Sequence, residues 1–161
     1  MKKDHVVLFL VAFLVVLVDQ VSKYCIRSAL TLHESIPVID GFFNITYVRN
    51  PGAAFGFLAG TSPALRSVFL IAVTLIVIVL IVIMIGRNQS PDGLFTSSLS
   101  LVLGGAVGNL IDRIYFGEVT DFLDVYMGAA HWPAFNAADS AITVGAVILI
   151  LGMIRRKKSE N

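Results

Sequence analysis

The chain has 161 residues, of which 57% are hydrophobic and 14% charged, with a formal net charge of +1 and a mean hydropathy of +0.84. An average soluble domain is about 45–50% apolar and about 25% charged, so this composition excludes an ordinary soluble domain and a disordered chain. The near-neutral charge argues against a nucleic-acid-binding module. The single cysteine, Cys25, excludes an internal disulfide and a cysteine-cluster metal site. The histidines His5, His33 and His131 lack zinc-site spacing, so we expect no metal. The class of protein that remains is a small polytopic membrane protein.

Four segments approach the roughly 20 apolar residues that a spanning helix needs. They cover residues 6–29, 64–86, 94–114 and 137–154. The first has the charged start and apolar run of a cleaved signal peptide, but no small-x-small cleavage site follows. Asp19, Gln20 and Lys23 come instead. We therefore predict an uncleaved first helix.

Basic residues predict the orientation of these helices. Lys2 and Lys3 precede the first helix, Arg87 lies between the second and third, and residues 155–158 follow the fourth. An even number of spans puts all of these on one side, which the positive-inside rule makes the cytoplasm. The two longer loops then face outward and cover residues 30–63 and 115–136.

The first outer loop has the composition of extended structure. Residues 42–48 are β-branched or aromatic except for Asn44, a composition that is typical of a strand. Turn signals flank them at Asp40-Gly41 and at Asn50-Pro51-Gly52. We predict a small sheet on the membrane surface.

Ionisable residues inside the spanning segments are candidates for function, because they are costly there. Asp19 lies thirteen residues beyond Val6, which is about 20 Å along a helix and so in the outer half of the bilayer. Lys23 follows at i+4 on the same helix face. Two interpretations are open here: a structural ion pair near the interface, or a lining for a functional site.

The third helix ends in a run of glycines and polar residues. Gly104 and Gly108 form a G-x-x-x-G pair, which allows close helix packing. A small residue, an amide and a carboxylate share one face: Gly105, Asn109 and Asp112. This face predicts a polar cleft, the alternative being helix packing capped by a pair of Asp112 and Arg113. For the glycines alone, packing is the favoured interpretation.

The last third of the chain concentrates acids. Five of the eleven acidic residues fall between positions 112 and 139: Asp112, Glu118, Asp121, Asp124 and Asp139. Asn136 and Asp139 also have the spacing of a helix N-cap, which by itself would explain Asp139.

Two carboxylates in one desolvated site share a proton and supply a base and an acid together. No serine or cysteine has a base in register, so we favour a metal-free aspartyl mechanism over a nucleophilic one. On chemistry alone, the two acids remain open among Asp19, Asp112, Asp121, Asp124 and Asp139.

An ordered set of motifs runs along nearly the whole chain. They are Asp19-Gln20-x-x-Lys23, Asn50-x-Gly52-Ala53-Ala54-Phe55-Gly56, Gly104-Gly105-Ala106-x-Gly108-Asn109-Leu110-Ile111-Asp112-Arg113, Val119-x-Asp121-Phe122 and Phe135-Asn136-x-Ala138-Asp139. With these motifs in this order and at these spacings, the chain resembles the lipoprotein signal peptidases (signal peptidase II).

The resemblance implies one all-α polytopic membrane domain over residues 1–161. It would have four transmembrane helices, a small extracytoplasmic β-sheet or β-cradle over 33–62, and a short extracytoplasmic loop or helix. It implies an aspartic endopeptidase of the bacterial inner membrane with both termini cytoplasmic and the active site near the outer face. The family cleaves prolipoprotein signal peptides before a cysteine that carries a diacylglyceryl group. The expected partners are these precursors and membrane lipid, without nucleic acid or a cofactor, and the expected state is a monomer.

The motifs also imply roles for individual residues. The catalytic dyad falls on Asp121 and Asp139, and Asp19 and Asp112 match acids that support the site. Asp124 matches no strong motif acid and is left out. Positions that line the site and hold the substrate fall on Asn50, Gly52, Asn109, Arg113 and Asn136.

Two other functions compete with the peptidase. Intramembrane polar residues also line the paths of transporters and channels. However, residues 68–85 carry no charge and the chain has no internal repeat, which argues against a polar path across the bilayer. A scaffold that grips partner helices through Gly104 and Gly108 is the second alternative.

Overall fold

The computed structural model describes residues 3–52, 61–87 and 93–159. In chain order, its helices α1, α2, α3 and α4 span Lys3–Ala29, Pro63–Arg87, Gly93–Phe116 and Ala137–Ser159. Its strands β1, β2, β3 and β4 span Ser35–Ile39, Phe43–Asn50, Val119–Met127 and Ala130–His131. Lys2 and residues 53–60, which include the second half of the Asn50–Gly56 motif and part of the expected cradle, lie outside the described residues.

Among the described residues, four helices are long and apolar enough to cross a membrane. These spans are Val6–Ala29, Pro63–Arg87, Gly93–Phe116 and Ala137–Arg155. Large apolar side chains on α2, such as Leu65, Val68 and Ile76, are more than half exposed. Such a surface is unfavourable in water and suits the hydrocarbon of a bilayer.

Helix α3 is the centre of the bundle and packs against α1, α2 and α4. Its glycines permit this closeness. A Cβ at Gly104 would lie 2.7 Å from the Ala12 carbonyl oxygen of α1, and one at Gly105 would meet the Ala138 carbonyl oxygen of α4. The predicted role of Gly104 in helix packing is therefore confirmed, and its predicted partner Gly108 lies equally close to α1, since a Cβ there would lie 2.6 Å from Asp19 Oδ2.

We expect Gly105→Ala to destabilise the bundle by about 1–3 kcal/mol, because the added methyl meets backbone rather than a movable side chain. Gly86→Ala is the matched control, since nothing lies within 4 Å of a Cβ there and alanine favours a helix by about 0.8–1 kcal/mol. Thermal unfolding of the two variants in detergent measures the difference. Equal melting temperatures would contradict the close α3–α4 contact.

The apolar core occupies the half of the bundle that is remote from the sheet. It is formed by Leu8, Ala12, Ile81, Leu99 and Leu103. The buried charged residues of α1 and α3 and the buried asparagines Asn109 and Asn136 lie at the other end, where α1 and α3 end and α4 begins. The bundle thus has an apolar half that holds the helices together and a polar half next to the sheet.

The described strands form one antiparallel sheet in the order β1-β2-β3-β4. Strand β2 confirms the strand predicted over 42–48, beginning one residue later and ending two residues later. Strands β3 and β4 correct the expected loop or short helix between α3 and α4: this segment extends because β2 offers it an edge to pair with. The β2–β3 register shifts between Ile45 and Val48, and Val48 lies opposite Asp121. Bulges of this kind re-aim side chains next to functional sites.

Candidate active site

One asparagine side chain connects Asp121 of β3 with Asp139 in the first turn of α4. The Asn136 Nδ2 atom donates to Asp121 Oδ1 at 2.7 Å. The Asn136 Oδ1 atom accepts from the backbone N–H of Asp139 at 2.8 Å, as a helix N-cap does. The predicted cap is therefore confirmed, and the same side chain orients the carboxylate of β3.

Amide side chains of β2 and α3 also bond the two carboxylates. Asn50 of β2 donates its Nδ2 to Asp121 Oδ2 at 2.9 Å, and Asn109 of α3 donates its Nδ2 to Asp139 Oδ1 at 2.7 Å. Asn109 also receives bonds on its Oδ1 atom from Lys23 Nζ at 3.0 Å and from Asn136 Nδ2 at 3.2 Å. These side chains therefore form one continuous network around the two acids.

Burial changes the acidity of Asp121, which is 1% exposed. Loss of water is the main cause that raises the pKa of Asp121 to about 7, and repulsion from Asp139 adds to it. The hydrogen bonds from Asn50 and Asn136 act in the opposite direction. At neutral pH this carboxyl is thus near the midpoint of its titration, as a group that exchanges protons in a reaction should be.

Below the acids, Lys23 compensates two buried carboxylates. Its Nζ atom lies 2.8 Å from Asp19 Oδ2 and 3.3 Å from Asp112 Oδ2, and all three side chains are fully buried. The predicted Asp19–Lys23 ion pair is confirmed. Gln20 reinforces this cluster by donating its Nε2 atom to Asp19 and to Asp112, each at 3.1 Å.

The two carboxylates of this cluster each hold backbone next to one of the candidate catalytic acids. Asp19 Oδ1 accepts from the N–H of Ala138, directly before Asp139, at 2.9 Å. Asp112 Oδ2 accepts from the N–H of Thr120, directly before Asp121, at 2.9 Å. Asp19 of α1 therefore holds the backbone next to Asp139, and Asp112 of α3 holds the backbone next to Asp121.

A cavity of about 640 Å³ opens beside Asp139. Of the expected lining residues, Asn50, Gly52 and Arg113 line it. Asn109 and Asn136 lie behind it, 5% and 0% exposed, and bond the acids instead. The other lining residues come from α2, from the segment before α4 and from α4 itself: Leu70, Trp132, Pro133, Ala134, Phe135, Ser140, Thr143 and Val144.

Comparison with known proteins identifies the family. A family model described as signal peptidase (SPase) II matches residues 11–155. The chain belongs to the signal peptidase II family. It is 53% identical over all 161 residues to the lipoprotein signal peptidase of Syntrophus aciditrophicus, covering 100% of both chains. It is 47% identical to that of Geobacter metallireducens, covering 100% of this chain and 98% of the relative.

A solved structure agrees with this assignment. It is described as a bacterial membrane enzyme structure obtained by the in meso method at 2.3 Å resolution, and it is 35% identical to this chain. The two superpose with a TM-score of 0.85 over 96% of this chain and 92% of the other. The predicted polytopic fold and the predicted protease are confirmed: this signal peptidase II is a membrane protease.

Several residues of the site were absent from the expected set. Lys23 and Gln20 belong to the first motif but were not expected to touch residues of α3. Thr143 lies at i+4 from Asp139 on the same helix face, so helical spacing from that acid would have found it. Residues Trp132 to Phe135, which form one wall of the cavity, have no spacing pattern that predicts this position, because it depends on how β3 and β4 pair.

Proposed function

We propose that this signal peptidase II cleaves the signal peptide from bacterial prolipoproteins on the N-terminal side of a diacylglyceryl-modified cysteine. The observation that carries the proposal is a pair of acids beside a cavity at one end of a membrane-spanning bundle. Asn136 bonds the carboxylate of Asp121 and the backbone N–H of Asp139. The relatives named lipoprotein signal peptidases support this substrate class.

The shape of the cavity suits a substrate that is itself partly in the membrane. Leu70 of α2 borders it on one side, and Thr143 and Val144 of α4 border it on the other. These residues belong to helices long and apolar enough to span a bilayer. A signal-peptide helix and its lipid chains therefore remain in hydrocarbon while the scissile bond meets the polar end of the bundle.

The mechanism is aspartyl catalysis by water. Asp139, which lines the cavity, takes a proton from a water molecule whose oxygen attacks the scissile carbonyl carbon. Asp121, whose raised pKa favours the protonated form, gives its proton to the carbonyl oxygen. The tetrahedral intermediate then breaks its C–N bond as Asp139 protonates the leaving amine, and an intermediate hydroxyl returns a proton to Asp121. Arg113 at the cavity wall stabilises the developing charge.

We also propose the cellular arrangement. The chain is one domain that acts as a monomer in the bacterial inner membrane, in contact with membrane lipid. Its termini are cytoplasmic, because basic residues lie at the start of α1, at the end of α2 and at the end of α4. The sheet and the cavity then lie near the extracytoplasmic face.

We expect kcat/KM to fall as pH rises through about 7. The pKa of Asp121 is raised to about 7, so its protonated form predominates below that pH and the acid is lost above it. Asn50 favours the ionised form through its hydrogen bond, so Asn50→Ala should move this limb to higher pH. The measurement is kcat/KM against pH with a lipidated precursor in detergent. A limb that stays at the same pH in the variant would contradict the role of Asp121.

The substrate assignment is tested with one precursor in two forms, with and without the diacylglyceryl group. Purified enzyme in detergent is mixed with each, and mass spectrometry identifies the products. We expect cleavage of the lipidated form immediately before the modified cysteine, and turnover of the unmodified form at least about tenfold lower. Equal cleavage of both forms, or cleavage at another bond, would refute the proposal.

A further inference from the structure

Asp124 is a buried acid that the proposed mechanism does not use. It lies on β3, three residues after Asp121, and is 9% exposed. Its Oδ2 atom accepts from Asn44 Nδ2 of β2 at 2.9 Å, and its Oδ1 atom lies 2.8 Å from His131 Nδ1 of β4. A buried carboxylate of this kind needs partners of its own. Asp124 therefore ties β2, β3 and β4 together through side chains.

The His131 ring is held from a second direction by Tyr126. The two rings stack with centroids 4.8 Å apart and an interplanar angle of 8°. The Tyr126 hydroxyl oxygen in turn accepts from the N–H of Gly41 at 3.0 Å. The groups that face the imidazole are thus the carboxylate of Asp124 and the ring of Tyr126, both on β3.

His131 stands directly before one wall of the active-site cavity. β4 ends at His131, and the next four residues, Trp132 to Phe135, all line the cavity before Asn136 caps α4. Backbone bonds hold the two ends of this wall: Trp132 donates to the Val125 carbonyl at 2.8 Å, and Phe135 donates to the Leu123 carbonyl at 3.0 Å. The orientation of the wall therefore follows from how β4 sits on β3.

We propose that Asp124 and His131 act as a positioning pair that fixes the Trp132–Phe135 wall for binding of the precursor. The inference rests on the proposed peptidase function and adds residues that touch neither the scissile bond nor the dyad. The pair acts on substrate binding, because the wall it holds lines the cavity. The dyad is held separately by Asn50, Asn109 and Asn136.

Substitutions at His131 separate the hydrogen bond between its imidazole and Asp124 from the stacking of its ring on Tyr126. His131→Phe keeps a ring against Tyr126 and removes the donor to Asp124, whereas His131→Asn keeps an amide donor near the Nδ1 position. We expect His131→Phe to raise KM about threefold with kcat within about twofold of the wild type, and His131→Asn to restore much of the KM. Tyr126→Phe is the matched control: it keeps the stacked ring and removes only the bond from Gly41, so its KM should be unchanged.

A double-mutant cycle tests whether the two residues act together. We expect the increase in KM of Asp124→Ala combined with His131→Phe to be smaller than the product of the single increases. Multiplicative effects would overturn the pair. So would an unchanged KM in His131→Phe, a loss confined to kcat, or an equal increase in Tyr126→Phe.

Hydrogen exchange gives a readout that does not depend on the substrate. The backbone amides of residues 130–132, 134 and 135 should exchange faster in His131→Phe than in wild type or Tyr126→Phe, because the docking of β4 is weakened. Unchanged exchange would overturn the positioning role even in an enzyme that cleaves normally. If the wild type does not cleave the lipidated precursor but exchange is still faster in His131→Phe, the proposed function is refuted. The positioning of the wall by Asp124 and His131 is then still supported.

Discussion

Replacing Asp139 by Asn is expected to abolish cleavage of the lipidated precursor, with a loss of about 10³-fold or more in kcat. An amide can neither take the proton of the attacking water nor deliver it to the leaving amine. The fold should tolerate this change, because an asparagine at 139 keeps an oxygen to accept from Asn109. Its new amide can point into the cavity that residue 139 lines.

Asp121→Asn should lose activity to the same extent but fold less stably. Both oxygens of Asp121 accept from amide donors, Asn50 and Asn136, so one of these donors would face the new NH₂ group. We therefore expect an added loss of about 1–3 kcal/mol in stability for this variant alone. Activity assays together with thermal unfolding in detergent separate the two effects.

The control for both variants is Asp40→Asn, the same change on an exposed acid between β1 and β2. It should cleave at the wild-type rate. Wild-type turnover in folded Asp139→Asn or Asp121→Asn would exclude that acid from catalysis.

Lys23→Met is expected to destabilise the protein by about 3–5 kcal/mol and to remove most of its activity. The methionine fills a similar volume, but Asp19 and Asp112 are then left fully buried without the cation that lies 2.8 and 3.3 Å away. These carboxylates hold the backbone of Ala138 and Thr120. The loss should therefore displace both candidate catalytic acids.

The control is Arg49→Met, which removes an exposed cation on β2 and should change stability by less than about 1 kcal/mol. A second variant identifies the electrostatic cause. Adding Asp19→Asn to Lys23→Met should recover part of the lost stability, because it removes one of the two uncompensated negative charges. The amide oxygen can still accept from Ala138. Thermal unfolding in detergent measures each variant. A stable Lys23→Met protein, or no recovery in the double variant, would contradict a buried charge cluster.

Features with local causes were predictable from the sequence. The four spans follow from runs of apolar residues of membrane length. The Asp19–Lys23 pair follows from helical spacing, and the Asn136 cap from the preference of short polar side chains for helix starts. Gly104 predicted a close helix contact, which the α1–α3 packing confirms.

Motif resemblance predicted more than local rules could. It named the family, which the comparisons confirm, and it selected two of the five acids that chemistry alone had left open. Spacing along the chain could not make that selection. It also implied that Asn109 and Asn136 line the site and hold the substrate, which stays a prediction. In the folded chain both amides bond the carboxylates of the site.

The sequence alone established a membrane protein with a polar site at one end. It did so through its low charge, its apolar runs and the crowding of acids between 112 and 139. Only the tertiary structure decided which side chains meet there. Asn50 reaches Asp121 across 71 positions, and Asp19 reaches Ala138 across 119. Such contacts depend on strand register and on helix packing against glycine, and these are set by the whole bundle rather than by neighbouring residues.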